Sequence, residues 1–207
     1  MARSDIDFSD IQGLLRFGYS RLSEACFLLL RINDRAAARS WLAGAPVAHA
    51  ALADPPPETA LQIAFSREGL EVIGLPAATI AAFSAEFVAG MAGDDTRSRR
   101  LGDVGSNAPS HWYWGAAGGV PHVLMMLYAA PGRLASFEDA VAGAAWKAAF
   151  STVARLATTD MGGVEPFGFA DGISQPTLDW MRERHLAGQD RWPTRTSPLW
   201  ASFCSAT

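Results

Sequence analysis

Apolar runs of strand length recur along the first part of the chain, and their spacing predicts the secondary structure. Residues 26–32 and 122–130 are nearly continuous apolar runs, with Arg31 and His122 as the exceptions, and such runs are typical of strands buried on both faces. Residues 61–65 alternate well enough to form another strand, and a fourth strand is predicted over residues 151–160. Capping residues or Pro-Gly follow the first three runs, so each strand has a defined end.

Helices are predicted between these strands. Asp34 and Ser66 can each cap a helix, and these helices are expected to end at Gly44 and Gly74. Residues 77–92 carry apolar side chains at helical spacing, which predicts one amphipathic helix with its aromatic rings in the core.

Another helix is predicted over residues 137–150, where Ser136 and Asp139 have the spacing of a capping box. Residues 93–119 between these regions are expected to be irregular. The Gly102-Asp103-Val104-Gly105 motif there lacks the preceding strand and the following Lys-Ser/Thr of a phosphate loop. The sequence therefore does not predict nucleotide binding.

The order strand-helix-strand, break, strand-helix-strand predicts the fold class. It indicates an α+β fold of ferredoxin-like type, in which helices pack on an antiparallel sheet. The 207 residues include 49% hydrophobic and 18% charged residues, enough apolar material for a substantial core.

Charge and cysteine content narrow the expected partners and location. The net charge of -4 argues against nucleic acid or an anionic membrane as the main partner. Cys26 and Cys204 show neither metal-ligand spacing nor a disulfide framework. There is no signal-peptide pattern and no apolar run of membrane-spanning length. We expect a cytoplasmic protein.

Candidate chemistry is concentrated in the segment EPFGFADGISQP, at residues 165–176. Asp171 lies among apolar neighbours, between Gly168 and Gly172, with no Lys or Arg in the segment. Such a carboxylate is a candidate general acid/base of raised pKa. The alternative is an ordinary turn, in which Asp171 accepts a local backbone hydrogen bond and Gly172 takes a positive φ.

The longer pattern resembles the signature of the dye-decolorizing (DyP-type) haem peroxidases, most closely their long, fungal-like branch. Gly168-x-x-Asp171-Gly172 is followed by Ile-Ser-Gln-Pro, and three further segments match in order. These are Asp10-Ile11-Gln12-Gly13, the run ACFLLLRI, and LGDVGSNAPSHWYWG. The resemblance covers about residues 5–190. It implies the first half of a dimeric ferredoxin-like α/β-barrel arrangement.

The resemblance also implies an activity and a site. The family is expected to use haem b and hydrogen peroxide to oxidise bulky aromatic donors, with Asp171 as the distal acid/base. The residues expected to line the haem pocket are Phe169, Gly172, Ile173, Ser174 and Gln175. In the family the proximal His and the distal Arg lie further along the chain.

None of the four histidines lies where the family places its iron ligand. These are His49, His111, His122 and His185, and each is more simply interpreted as an ordinary core or surface histidine. We therefore predict no metal ligand in this chain. The aromatic run of residues 111–114 either carries surface radicals or packs a loop against the body, and packing is favoured.

The end of the chain departs from the family pattern. Residues 1–190 are predicted to be the N-terminal domain, and residues 191–207 a frameshifted or truncated tail with the second half missing. One nucleotide string encodes WASFCSA in one frame and the family-like LGEFLLGY in the frame one base earlier. On this hypothesis the chain as it stands is inactive or nearly so.

Two other functional classes are compatible with parts of the sequence. A non-catalytic ferredoxin-like module would bind a partner, and an exposed apolar face could make it a homo-oligomer. A metal-dependent hydrolase would have to use Asp160, Asp171 and Asp179, but no histidine accompanies these acids. The hydrolase is the least favoured of the three classes.

Overall fold

The computed structural model describes residues 6–19, 21–158 and 167–168. The chain divides into two compact units. The smaller unit contains Met1–Phe17, His49–Leu52 and Met161–Thr207, and the larger contains Gly18–Ala48 and Ala53–Asp160. All the strands and α-helices of the described residues belong to the larger unit.

Four strands and seven short α-helices make up the described part of the larger unit. The strands are β1 (Glu24–Ile32), β2 (Thr59–Phe65), β3 (Val123–Ala129) and β4 (Phe150–Ala157). The helices are α1 (Arg35–Ala43), α2 (Arg67–Ile73), α3 (Ala77–Ala81), α4 (Ala85–Ala89), α5 (Asp95–Leu101), α6 (Leu134–Val141) and α7 (Ala144–Ala149).

The strands form a single sheet in the order β2-β3-β1-β4, and every neighbouring pair is antiparallel. Leu28 at the middle of β1 lies opposite Met125 on one side and Arg155 on the other. The register of β1 with β4 shifts between Leu29 and Leu30. This is the predicted α+β, ferredoxin-like arrangement, and the two longest apolar runs form its central strands.

One face of the sheet packs against helices and forms the core. Cys26, Leu28 and Leu30 of β1 lie on this face beside Val123, Met125 and Leu127 of β3. The helices contribute Ala38, Val141, Trp146 and Ala149 to the same cluster. The indole Nε1 of Trp146 donates to Met125 Sδ at 3.4 Å, which connects α7 to the central strand β3.

The predicted caps of α1 and α2 are confirmed. The Asp34 carboxylate accepts from the Ala37 N–H at 2.8 Å, and the Ser66 hydroxyl accepts from the Gly69 N–H at 3.1 Å. Gly74 ends α2 with a φ of 98°, in the left-handed region that favours glycine.

Two helix predictions were wrong in their boundaries. Residues 77–92 form two short helices, α3 and α4, because the Ser84 hydroxyl caps a new helix by accepting from the Phe87 N–H. The rings of Phe83 and Phe87 stack 4.8 Å apart and are half-buried, so they are not core residues. Only Ile80 of this segment is buried.

The helix predicted over residues 137–150 begins earlier and is broken. α6 starts at Leu134, and the Ser136 hydroxyl donates to the Arg133 carbonyl instead of capping a helix. Ala142 and Gly143 interrupt the helix before α7. The supposedly irregular region also contains a helix, α5, which the Asp94 carboxylate caps.

Candidate functional site

Most of the predicted site lies outside the described residues. This applies to Asp171 and to Phe169, Gly172, Ile173, Ser174 and Gln175, so their roles stay predictions. At the start of the motif, Gly168 has a φ of 84°, a left-handed conformation that favours glycine. This backbone conformation explains why glycine occupies the first position of the signature.

The N-terminal motif forms local structure in the smaller unit. The Ile11 carbonyl accepts from the Ala50 N–H at 2.7 Å, and Gln12 pairs with His49 in an isolated antiparallel bridge. A 3₁₀ turn, Gly13–Leu15, follows directly. The backbone of this motif therefore joins two segments of the smaller unit that are distant in sequence.

Arg16 strengthens the same connection. Its Nη1 donates to the Ala50 carbonyl at 2.8 Å, and its guanidinium carbon lies 4.1 Å from the centre of the Phe8 ring and 5.5 Å from that of Phe17. Stacking on aromatic rings is favourable for a planar guanidinium. Through these contacts Arg16 connects Phe8, Phe17 and Ala50 of the smaller unit.

The described histidines are not arranged as metal ligands. His49 and His111 are exposed, and His122 is half-buried with its Nδ1 accepting from the Ile32 N–H at 3.0 Å. Burial, and to a lesser extent the charge of Arg31, lowers the pKa of His122, while Glu68 opposes the shift. His185 lies outside the described residues.

Cys26, Glu138 and Arg155 form a polar cluster at the core face of the sheet. Arg155 of β4 donates from Nε to Glu138 Oε1 at 2.8 Å and from Nη2 to Oε2 at 2.7 Å. The Cys26 thiol donates to Glu138 Oε2 at 3.7 Å. Burial and the neighbouring Glu138 carboxylate raise the pKa of Cys26 to about 11, so this thiol is held protonated.

The aromatic run near residue 112 combines a hydrogen bond with exposure. The Trp112 indole Nε1 donates to the Asn107 carbonyl at 2.9 Å, a contact within the same loop, so packing of this loop against the body stays a prediction. Tyr113 is 94% exposed, and the structure gives it no packing role. Arg31 holds the following turn by donating to the Gly118 carbonyl at 2.7 Å.

The outer face of the sheet carries a group of aromatic and amide side chains. The Tyr128 ring lies 5.1 Å from that of Tyr19 and 6.1 Å from that of Phe27. The buried Gln62 amide donates to the Tyr19 hydroxyl at 3.1 Å and to the Ala48 carbonyl at 2.9 Å. Burial raises the pKa of both tyrosines. Sequence reasoning missed this group because its members come from three separate parts of the sequence, at residues 19–27, 62 and 128.

A haem needs an axial ligand beside a cavity that can take the porphyrin. A cleft of about 360 Å³ between α1 and α6 is lined by residues such as Trp41, Phe137 and Val141, and none of its lining residues is an iron ligand. Within the described residues, no group of three or more His, Cys, Asp or Glu side chains could hold a metal ion. The part of the chain that the structure describes therefore does not fit a haem.

Solved structures identify the fold. A decolorizing peroxidase from Auricularia auricula-judae matches with 26% identity and a TM-score of 0.65, over 84% of this chain and 39% of its own. The fold is that of the N-terminal part of DyP-type peroxidases. The chain thus spans about two fifths of the length of the peroxidases it resembles.

Two further solved structures agree with this assignment. A dye-decolorizing peroxidase engineered in its heme pocket for asymmetric sulfoxidation has 26% identity and a TM-score of 0.62, over 84% of this chain and 39% of its own. A dye-decolorizing peroxidase in complex with 2,6-dimethoxyphenol shares the fold at 23% identity and a TM-score of 0.63, over 83% and 39%.

No protein-family model and no curated protein matches the sequence. The likeness to DyP-type peroxidases therefore rests on the solved structures and on the ordered sequence motifs. Among the described helices, none combines the length and the hydrophobicity needed to cross a lipid bilayer.

Proposed function

We propose that this chain is the N-terminal part of a haem-dependent DyP-type peroxidase that oxidises bulky aromatic donors with hydrogen peroxide. The observation that supports the proposal is the likeness of its fold to DyP-type peroxidases over 84% of the chain. The Gly168-x-x-Asp171-Gly172 motif in the sequence supports it independently. Haem b would supply the redox chemistry when bound.

In this proposal Asp171 is the proton-transfer residue. Its carboxylate would move a proton from one oxygen of hydrogen peroxide to the other, so that the second oxygen could leave as water when the O–O bond breaks; bound haem would supply the two electrons that this cleavage requires. Its sequence neighbours Phe169 and Ala170 are apolar, and an apolar environment would raise the pKa of the carboxyl toward the range that such a transfer requires. Phe169, Gly172, Ile173, Ser174 and Gln175 would line the pocket around it.

The first test is a haem titration followed by an assay. The purified protein is titrated with haem, read by the Soret band, and assayed for peroxide-dependent oxidation of an anthraquinone dye. In the protein completed with the second half, Asp171→Asn lowers the oxidation rate roughly 100-fold or more if the proposal holds, whereas the 207-residue chain alone is expected to be inactive or nearly so. Asp179→Asn, which changes an acid nearby in the sequence, is the matched control and leaves the rate unchanged. A haem-loaded protein whose rate is the same with Asp171→Asn would refute the role of Asp171.

The second test concerns the iron ligand, and it does not depend on activity. The coding DNA is read past the codon for Leu199 in the frame one base earlier. We expect a continuing sequence of the family type that contains the proximal His and the distal Arg. If restoring this frame yields no such sequence, and the chain shows no saturable Soret change, the peroxidase proposal fails.

A non-catalytic binding module is the second candidate function. It is favoured by the apolar outer face of the sheet, where Phe27, Leu124 and Met126 are half-buried and Leu156 is exposed. Light scattering and a dye for exposed apolar surface discriminate the two functions. Saturable haem binding supports the peroxidase, and a protein that binds the dye but no haem supports a binding module.

A further inference from the structure

His122 lies where three elements of the larger unit meet. Its backbone N–H donates to the Leu30 carbonyl of β1 at 2.8 Å, and its own carbonyl accepts from the Ser66 N–H at 3.1 Å. Its ring Nδ1 accepts from the Ile32 N–H at 3.0 Å. His122, which directly precedes β3, therefore connects the end of β1 with the cap of α2.

The hydrogen bond from the Ile32 N–H to the His122 ring forms only when the ring is neutral. Nδ1 must be unprotonated to accept from the Ile32 N–H, so the neutral ring carries its proton on Nε2. In the imidazolium both ring nitrogens bear protons, and Nδ1–H would then face the Ile32 N–H donor to donor. Protonation removes this hydrogen bond.

The charges around the ring determine when protonation occurs. Arg31, on β1, disfavours the imidazolium, and Glu68, on α2, favours it; they are the charged groups that act on the ring among the described residues. The net effect is a pKa below the ordinary value of 6.5, with burial as the largest cause. The neutral ring is therefore the form at pH 7, and the contact weakens as the pH falls below 6.5.

Close contacts join His122 and Ile32 to the adjoining helix and loop. A Cβ at Gly69 would lie 1.9 Å from the His122 carbonyl oxygen, so α2 packs directly on this backbone. Arg31, next to Ile32, holds the turn at Gly118 that precedes His122. A change at the Ile32 contact is thus one residue away from the group that secures the loop.

We propose that His122 is a pH-sensitive switch. Its neutral ring accepts the hydrogen bond that holds the end of β1 beside the start of β3, and protonation breaks this hydrogen bond and loosens this end of the sheet together with the Gly118 turn. The proposal is independent of the peroxidase function. It assigns a conformational role to a histidine that the sequence did not distinguish from an ordinary core or surface residue.

Amide hydrogen exchange, followed by NMR between pH 8 and pH 5, tests whether the His122–Ile32 hydrogen bond depends on pH. Protection factors are compared, which corrects for the pH dependence of intrinsic exchange. The Ile32 amide of the wild type should lose protection by roughly fivefold as the pH falls through the His122 titration. Leu127, in the middle of β3, is the internal reference and should not change.

Two variants separate the hydrogen bond from the titration. His122→Asn keeps an acceptor near the position of Nδ1 but does not titrate, so Ile32 should stay protected at every pH. His122→Ala removes the acceptor, so Ile32 should be weakly protected throughout. Equal pH dependence in the wild type and His122→Asn would overturn the proposal.

The nitrogen chemical shifts of the His122 ring, measured in the wild-type protein, test the proposal without any variant. The proposal requires a neutral ring protonated on Nε2 at pH 7 and a titration below 6.5 that coincides with the change at Ile32. A ring protonated on Nδ1 at pH 7, or a titration with no accompanying change at Ile32, would refute it even if both variants failed to fold.

Discussion

Individual side chains stabilise this fold through a few well-formed polar contacts. The pair between Glu138 on α6 and Arg155 on β4 is bidentate, and the Glu138 side chain is 24% exposed. Bidentate pairs at partly buried sites are worth more than exposed ones, which contribute little. The pair between Glu58 and Arg133, with side chains 68% and 59% exposed, is the corresponding weak case.

Glu138→Gln should lower the free energy of unfolding by about 1 kcal/mol at pH 7. Hydrogen bonds from Arg155 lower the pKa of Glu138 below its ordinary value of 4.5. The stabilisation is therefore complete above pH 4.5 and is lost as the pH falls through the lower folded-state pKa. Urea unfolding at several pH values measures it.

The control for this pair is Glu58→Gln, which removes an exposed carboxylate and should change the stability by less than about 0.5 kcal/mol. Equal losses for the two variants, or a loss for Glu138→Gln that persists below the titration of the carboxyl, would contradict the argument.

Cys26 should react slowly with iodoacetamide. At pH 8 a thiol with a pKa of about 11 is roughly one part in a thousand thiolate, and Cys26 is also fully buried. Peptide mapping by mass spectrometry, with and without denaturant, measures the modification. Labelling of Cys26 that is as fast in the native protein as in the denatured protein would show that the thiol is accessible.

At the scale of elements, the local signals predicted the strands and the caps better than the helix boundaries. Asp34 and Ser66 cap their helices by contacts within three residues, which a sequence pattern can reveal. Ser136 has the sequence of a cap but lies inside α6, because the Glu24 carboxylate accepts from the Gly132 and Leu134 N–H groups at the helix start. That partner is more than a hundred residues away, so no local pattern indicates it.

Gly69→Ala should lower the free energy of unfolding by about 3 kcal/mol. Its Cβ would lie 1.9 Å from a backbone oxygen of His122, and backbone on both sides leaves little room to adjust. Gly18→Ala is the matched control, because nothing lies within 4 Å of a Cβ there. Thermal unfolding compares them, and a small effect of Gly69→Ala would show that α2 can shift away from His122.

At the scale of the whole molecule, stability depends on the two central strands and the helices on one face. Leu127 is fully buried in β3, between Cys26 of β1 and Leu61 of β2. A residue in this position is in contact with both neighbouring strands and with the core, so its loss leaves a cavity that the sheet cannot close.

Leu127→Ala should therefore lower the free energy of unfolding by about 3 kcal/mol. Leu101→Ala, at the 57% exposed end of α5, removes the same atoms from the surface and should cost less than about 0.5 kcal/mol. Denaturant unfolding measures both variants. Similar costs would show that the core cluster is not the main source of stability.

The sequence by itself determined the four strands, the two capped helices and the ferredoxin-like class, since apolar period and capping chemistry are local properties. It also indicated the peroxidase resemblance through motifs in order along the chain. Only the tertiary structure decided the strand register, the break at Ser84, the cluster around Cys26 and the contact of His122 with Ile32. Each of these features joins residues that are distant in sequence or depends on a competing local contact. A pattern of apolar residues determines which face of an element is buried, but it does not determine which residues of other elements that face contacts.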